Sequence, residues 1–209
     1  MWITRFAAPA AVALALLTLP LAAGPAHCQP KPGEQMPPPA VPVTPSTTMP
    51  SPLQPGDAFG ESVVLPARTI IYLKGHTNWD AAFDTLIDAF KSLNEYFDKQ
   101  GLKPNGPAMT IYTQTDDTGF SFEAALPVAV APANPPKGDI AVGQAPSGKA
   151  LKFVHRGSYD AMDATYEAIT NYLDDKGLDA KDLFIEEYAS DPATTVPDKL
   201  VINVYVPIK

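Results

Sequence analysis

Phe184, Glu186 and Tyr188 alternate within the stretch FIEEYASDP. An acid between aromatic side chains on one side of a strand suits an organic cation. Ring faces attract diffuse positive charge and shield it from water, and a carboxylate in that low dielectric supplies the opposite charge. Alternation sends Leu183 and Ile185 to the other side, where a helix is expected to cover them. In the final strand Leu200, Ile202, Val204 and Val206 form the apolar series, and Val201, Asn203 and Tyr205 oppose it. An earlier stretch repeats the pattern, with Phe120, Phe122, Ala124 and Leu126 inward, Ser121, Glu123 and Ala125 outward, and Thr110 and Tyr112 on a neighbouring strand. The expected helix-free face therefore gathers Glu123, Glu186, Tyr112, Phe184, Tyr188, Asn203 and Tyr205 as candidate ligand-binding residues. Periodicity alone fits equally well a solvated face with tyrosines merely covering it.

Other chemistry finds little support. The single cysteine, Cys28, sits at the edge of the N-terminal apolar run, so the remaining chain offers no disulfide, zinc cluster or thiol nucleophile. There is no Ser-His-Asp order and no metal motif. His76 and His155 stand alone, and His155 falls in a strand-to-helix turn where a structural hydrogen bond is its expected role. The formal charge is −8 and the cations are not clustered, which disfavours nucleic acid.

The elements that would position these residues come as two copies. WDAAFDTLIDAFKSLNEYFDKQGL (79–102) and YDAMDATYEAITNYLDDKGL (159–178) both open with an aromatic followed by Asp-Ala and close on Gly-Leu. Trp79, Phe83, Leu86, Phe90, Leu93 and Phe97 form one helical stripe, and Tyr159, Met162, Tyr166, Ile169 and Leu173 another. Thr77 or Asn78, and Ser158, are candidate N-caps; Gly101 and Gly177 suit left-handed helix ends. AMTIYTQTD aligns with FIEEYASDP, and FSFEAALPV with VINVYVPI. An apolar strand precedes each helix, SVVLPARTIIYLKG in one copy and KALKFVHRG in the other. Some strand is expected around 139–142 in the segment joining the copies. The expected fold is α+β: tandem pseudo-twofold βαββ repeats, about 61–128 and 139–209, forming an antiparallel sheet with two helices on one face and the other face bare.

Residues 1–28 read as a secretory signal peptide, with Arg5 followed by an apolar run broken by Pro9 and Pro20, or as an uncleaved membrane anchor. A histidine precedes Cys28 where a lipoprotein signal would place a small residue. Residues 29–56 hold 10 prolines and few large apolar side chains, the composition of a semi-extended linker or a Pro-rich recognition segment. Residues 57–209 form the domain, expected in the periplasm or outside the cell.

The combination of HRGSY before a helix, FIEEYASDP and LVINVYVPI resembles the GyrI-like small-molecule-binding domain, the effector-binding module of AraC-type and MerR-type regulators. The resemblance covers 65–209. It implies the tandem βαββ fold, an amphipathic and often cationic or aromatic ligand between the copies, and a ligand-facing glutamate at Glu186, with Tyr188 and Tyr205 as aromatic neighbours. No DNA-binding segment precedes the domain, so gene regulation is not implied. The leading expectation is an exported binder of small amphipathic molecules, without cofactor or metal. The alternatives are a hydrolase with Glu186 as general base, a haem or tetrapyrrole binder of SOUL type with His76 or His155 as axial ligand, and a protein-binding module.

Overall fold

The computed structural model describes residue 54 and residues 56–209 except 135. The expected signal peptide, and the linker apart from residues 54 and 56, lie outside them. Among the described residues no helix is long and apolar enough to cross a membrane.

The chain runs β1 (Phe59–Leu65), β2 (Thr69–Asn78), α1 (Ala82–Gln100), β3 (Met109–Thr115), β4 (Gly119–Pro127), β5 (Ile140–Gln144), β6 (Gly148–Arg156), α2 (Met162–Lys176), β7 (Phe184–Tyr188) and β8 (Val201–Pro207). Each helix is entered through one 3-10 turn whose cap is side-chain bonded. Asn78 Oδ1 accepts from Ala81 N at 2.9 Å, and Ser158 Oγ from Asp160 N at 3.4 Å. Gly101 and Gly177 end the helices at φ 64° and 61°, where a Cβ would be strained. The apolar strand expected ahead of α1 is two strands, because Pro66 has no N–H for a ladder. The strand expected near 139–142 is β5.

All neighbours pair antiparallel in the order β1-β6-β8-β7-β3-β4-β2-β5. This order reads the same from both ends: β6, β8 and β7 on one side of the β7–β3 junction correspond to β2, β4 and β3 on the other. The lead strands are exchanged, since β1 pairs with β6 and β5 with β2.

That exchange forces curvature. Six strand spacings separate β1 from β2, about 29 Å in a flat sheet at roughly 4.8 Å each. The connection 66–68 reaches only about 14 Å. The sheet must curl until its ends approach, and the connection 145–147 imposes the same constraint on β5 and β6. Leu65 and Ala145, at the starts of these connections, pack with Ile70, Met109, Ile111, Ala125 and Ile185 on the helix-free face. That face is therefore not bare, contrary to expectation: it holds a second apolar cluster under the crossing connections. The main core lies between sheet and helices and draws on both copies, with Leu86, Phe90, Leu93 and Phe97 of α1 and Met162, Ile169 and Leu173 of α2. Trp79, expected in the stripe, is 47% exposed, its Nε1 donating to the Asp116 carbonyl at 2.9 Å.

Candidate functional site

Register decides which side chains meet. Across β7 and β8, Glu186 stands opposite Val204 and Tyr188 opposite Ile202. Across β7 and β3, Thr110 faces Glu186 and Tyr112 faces Phe184. Directly opposed residues share a face, and Ile202 and Val204 belong to the helix-side core. Phe184, Glu186, Tyr188 and Tyr112 therefore point toward the helices, and Ile185 points away. This reverses the expected phase of β3 and β7, where aromatics and aliphatics alternate and either series could lie inward.

Glu186 is fully buried, at 0% exposure, inside a cage of tyrosines. Tyr166 on α2 donates its hydroxyl to Oε1 at 2.8 Å, Tyr188 donates to Oε2 at 3.0 Å, and Tyr159, in the turn before α2, to Oε2 at 3.3 Å. Tyr112 reaches the acid through Tyr159, their hydroxyl oxygens 2.7 Å apart, and Thr110 Oγ1 lies 3.1 Å from the Tyr188 hydroxyl. Each hydroxyl has one proton, so the direction of the network is fixed: Tyr112 gives to Tyr159 and Thr110 to Tyr188 when both tyrosines give to the carboxylate. A second layer of rings closes around the first. Phe83 stacks on Tyr159 with centroids 4.8 Å apart, Phe90 meets Tyr188 edge-on at 5.3 Å, Phe184 meets Tyr166 at 5.6 Å, and Phe120 leans on Tyr112 at 5.0 Å.

No basic side chain among the described residues forms an ion pair with Glu186. Burial raises its pKa above the ordinary carboxylate range, while the hydroxyls of Tyr166, Tyr112, Tyr188 and Tyr159 pull it back down. Burial, reinforced by the charge of Glu186, holds the phenols of Tyr112, Tyr159, Tyr166 and Tyr188 well above their usual range, so they stay protonated donors. The site is a buried carboxyl group held by neutral dipoles, with no ion-pairing cation among the described residues.

The remaining candidates lie on the opposite face, as expected for them, but apart from Glu186. Tyr205 and Asn203 donate to Glu187 Oε1 at 3.1 and 3.4 Å, and Arg68 Nη1 contacts Glu187 Oε2 at 3.0 Å. Burial and the nearby Glu187 push the Tyr205 phenol up to about 12. Glu123 pairs with Lys74 at 3.6 Å. The structure thus brings together four of the seven expected residues, Glu186, Tyr188, Tyr112 and Phe184.

Tyr159, Tyr166 and Phe83 entered the sequence reading only as helix stripe. Their signal was chemical: a tyrosine in an inward stripe needs a partner for its hydroxyl. His155 has the structural role expected of it. Its Nε2 donates to the Ser158 carbonyl at 3.1 Å and its Nδ1 accepts from Thr165 Oγ1 at 2.7 Å, which occupies both ring nitrogens. His76 is exposed, 3.4 Å from Ser121 Oγ. Among the described residues no group of three or more His, Cys, Asp or Glu side chains could hold a metal ion.

A model of the GyrI-like small-molecule-binding domain matches residues 61–209. No curated protein matches the chain. Among solved structures the chain is similar to the C-terminal domain of EcmrR, with a TM-score of 0.58 and 14% identity over 73% of this chain and 98% of that one. It is similar to EcmrR in a DNA complex, with a TM-score of 0.63 and 16% identity over 72% of this chain but only 57% of that one, so it spans little more than half of EcmrR. SAV2435 bound to tetraphenylphosphonium aligns with a TM-score of 0.50 and 16% identity over 72% of this chain and 94% of that one. At such identities these structures share the fold.

Proposed function

The chain belongs to the GyrI-like small-molecule-binding domain family, and from that premise we propose that it is an exported binder of small amphipathic cations, with Glu186 as counter-charge. The observation that carries the reading is a fully buried carboxyl group ringed by tyrosine hydroxyls and paired with no cation among the described residues. Taking an ion out of water costs several kcal/mol that neutral donors offset only in part. A ligand cation supplies the missing term, and the aromatic walls favour one whose charge is spread over rings or alkyl groups. A structural neighbour bound to tetraphenylphosphonium, an organic cation of that kind, supports the choice. The ligand takes its place between sheet and helices, where both copies contribute walls. Residues 1–28 and 29–56, with their apolar run and proline-rich composition, support export to the periplasm or beyond, with the domain on a tether.

Calorimetric titration of the whole protein with tetraphenylphosphonium tests this. Glu186→Gln, which keeps the shape and removes the charge, is expected to weaken binding by at least about tenfold, the scale of losing one buried charge contact. Equal affinity in the two proteins would sink the assignment. Cell fractionation that finds the protein only in the cytoplasm would remove the export half of the proposal.

A further inference from the structure

We propose that Phe83 is a shape filter for the Glu186 site, favouring flat aromatic cations over aliphatic ones. The inference rests on Glu186 being the counter-charge. Glu186 has no solvent exposure, so a ligand must displace one wall of the cage. Tyr112 and Tyr188 are buried on strands, and Tyr166 is fixed in the body of α2 with the shortest bond to the acid, 2.8 Å. Tyr159 is different on three counts. It sits in a single turn between β6 and α2, it follows Gly157 at φ 114°, and its bond to the acid is the longest, 3.3 Å. Tyr159 is partly exposed, as Tyr166 is, and its ring is stacked against Phe83, which comes from α1 of the other copy.

The two rings lie 4.8 Å apart with their planes inclined by 23°, a stacked pair. When Tyr159 turns out about Gly157, one face of Phe83 is bared and Oε2 of Glu186 loses a donor in the same movement. A flat aromatic cation replaces both losses: its ring takes the place of the tyrosine ring and its charge answers the carboxylate. An aliphatic ammonium replaces only the second. Phe83 therefore adds affinity for planar ligands and none for the others.

The experiment uses the whole protein with two probes, ethidium and tetrabutylammonium, and the variants Phe83→Leu and Phe83→Trp. Replacing the ring by Leu is expected to weaken ethidium by about threefold to tenfold, the worth of one aromatic pair, and to change tetrabutylammonium by less than about twofold. Phe83→Trp is expected to keep ethidium binding, which separates loss of stacking from loss of folding. Equal losses for both cations, or undiminished ethidium binding in Phe83→Leu, overturn the proposal. If the wild type binds both probes in a Glu186-dependent way without discrimination by Phe83, the inference alone fails. If it binds neither, the cation-binding function falls and this inference with it.

Discussion

Glu186 and Glu187 are neighbours in sequence with opposite environments. Glu187 meets Arg68, Tyr205 and Asn203 on the helix-free face, while Glu186 meets only hydroxyls on the helix side. Their responses to mutation should differ accordingly. Because burial raises the pKa of Glu186 in the folded state, folding favours its protonated form. The advantage is fully present below the unfolded-state carboxylate pKa and is lost as pH rises through the folded one. Wild-type stability relative to Glu186→Gln should therefore increase as the solution is acidified from neutral, in urea unfolding without ligand. A difference independent of pH would show that the acid is not held in an unfavourable charge state. Arg68→Ala leaves Glu187 with its two weaker donors. Since Arg68 is 30% exposed, the expected cost is about 1–3 kcal/mol rather than that of a fully buried pair, measured as a shift in urea midpoint.

At the scale of elements, the two helices, their glycine ends and the paired strand series were legible, because period 3.6 and period 2 leave their mark in a single segment. The face of a strand is different information. In β8 only Ile202, Val204 and Val206 are uniformly aliphatic, so its phase can be read directly. In β7 the choice between Phe184 with Tyr188 and Ile185 depends on the partner opposite, which the segment does not contain. The alternation thus assigns Tyr205 and Asn203 to their true face, whereas Glu186 and Tyr188, which it groups with them, face the other way. Tyr159 and Tyr166 do not show in the sequence as site residues for a related reason: their partner, Glu186, lies across the core. One local signal concerns Gly60, at φ 78° in the bulge of β1, where a Cβ would run into the ring of Tyr172 on α2. Gly60→Ala should cost about 1–3 kcal/mol. Adding Tyr172→Leu should recover part of it in thermal melts by removing the clash and leaving the backbone strain. No recovery would mean that the strain alone matters.

For the whole molecule, the α+β class and the paired copies follow from the sequence, but the curl of the sheet does not. It arises from two connections, 66–68 and 145–147, too short for a flat sheet with this strand order. The sequence reads as one strand across 66–68 and as part of the segment joining the copies at 145–147, and neither stretch shows that it joins strands near opposite ends of the sheet. The crossing connections that accompany the curl also explain why the helix-free face holds its own apolar cluster.

The exchanged lead strands have a mechanical consequence. Each half of the domain is completed by a strand from the other, and Lys137 lies exposed in the only covalent link between the halves after β4. A protease that clips the chain there should leave two peptides that elute as one particle, joined through the ladders of β1 with β6, β5 with β2 and β3 with β7. Urea, rather than dilution, should be needed to part them. If the clipped halves drift apart on a sizing column, the three ladders that cross between them hold less of the molecule together than their hydrogen bonds imply.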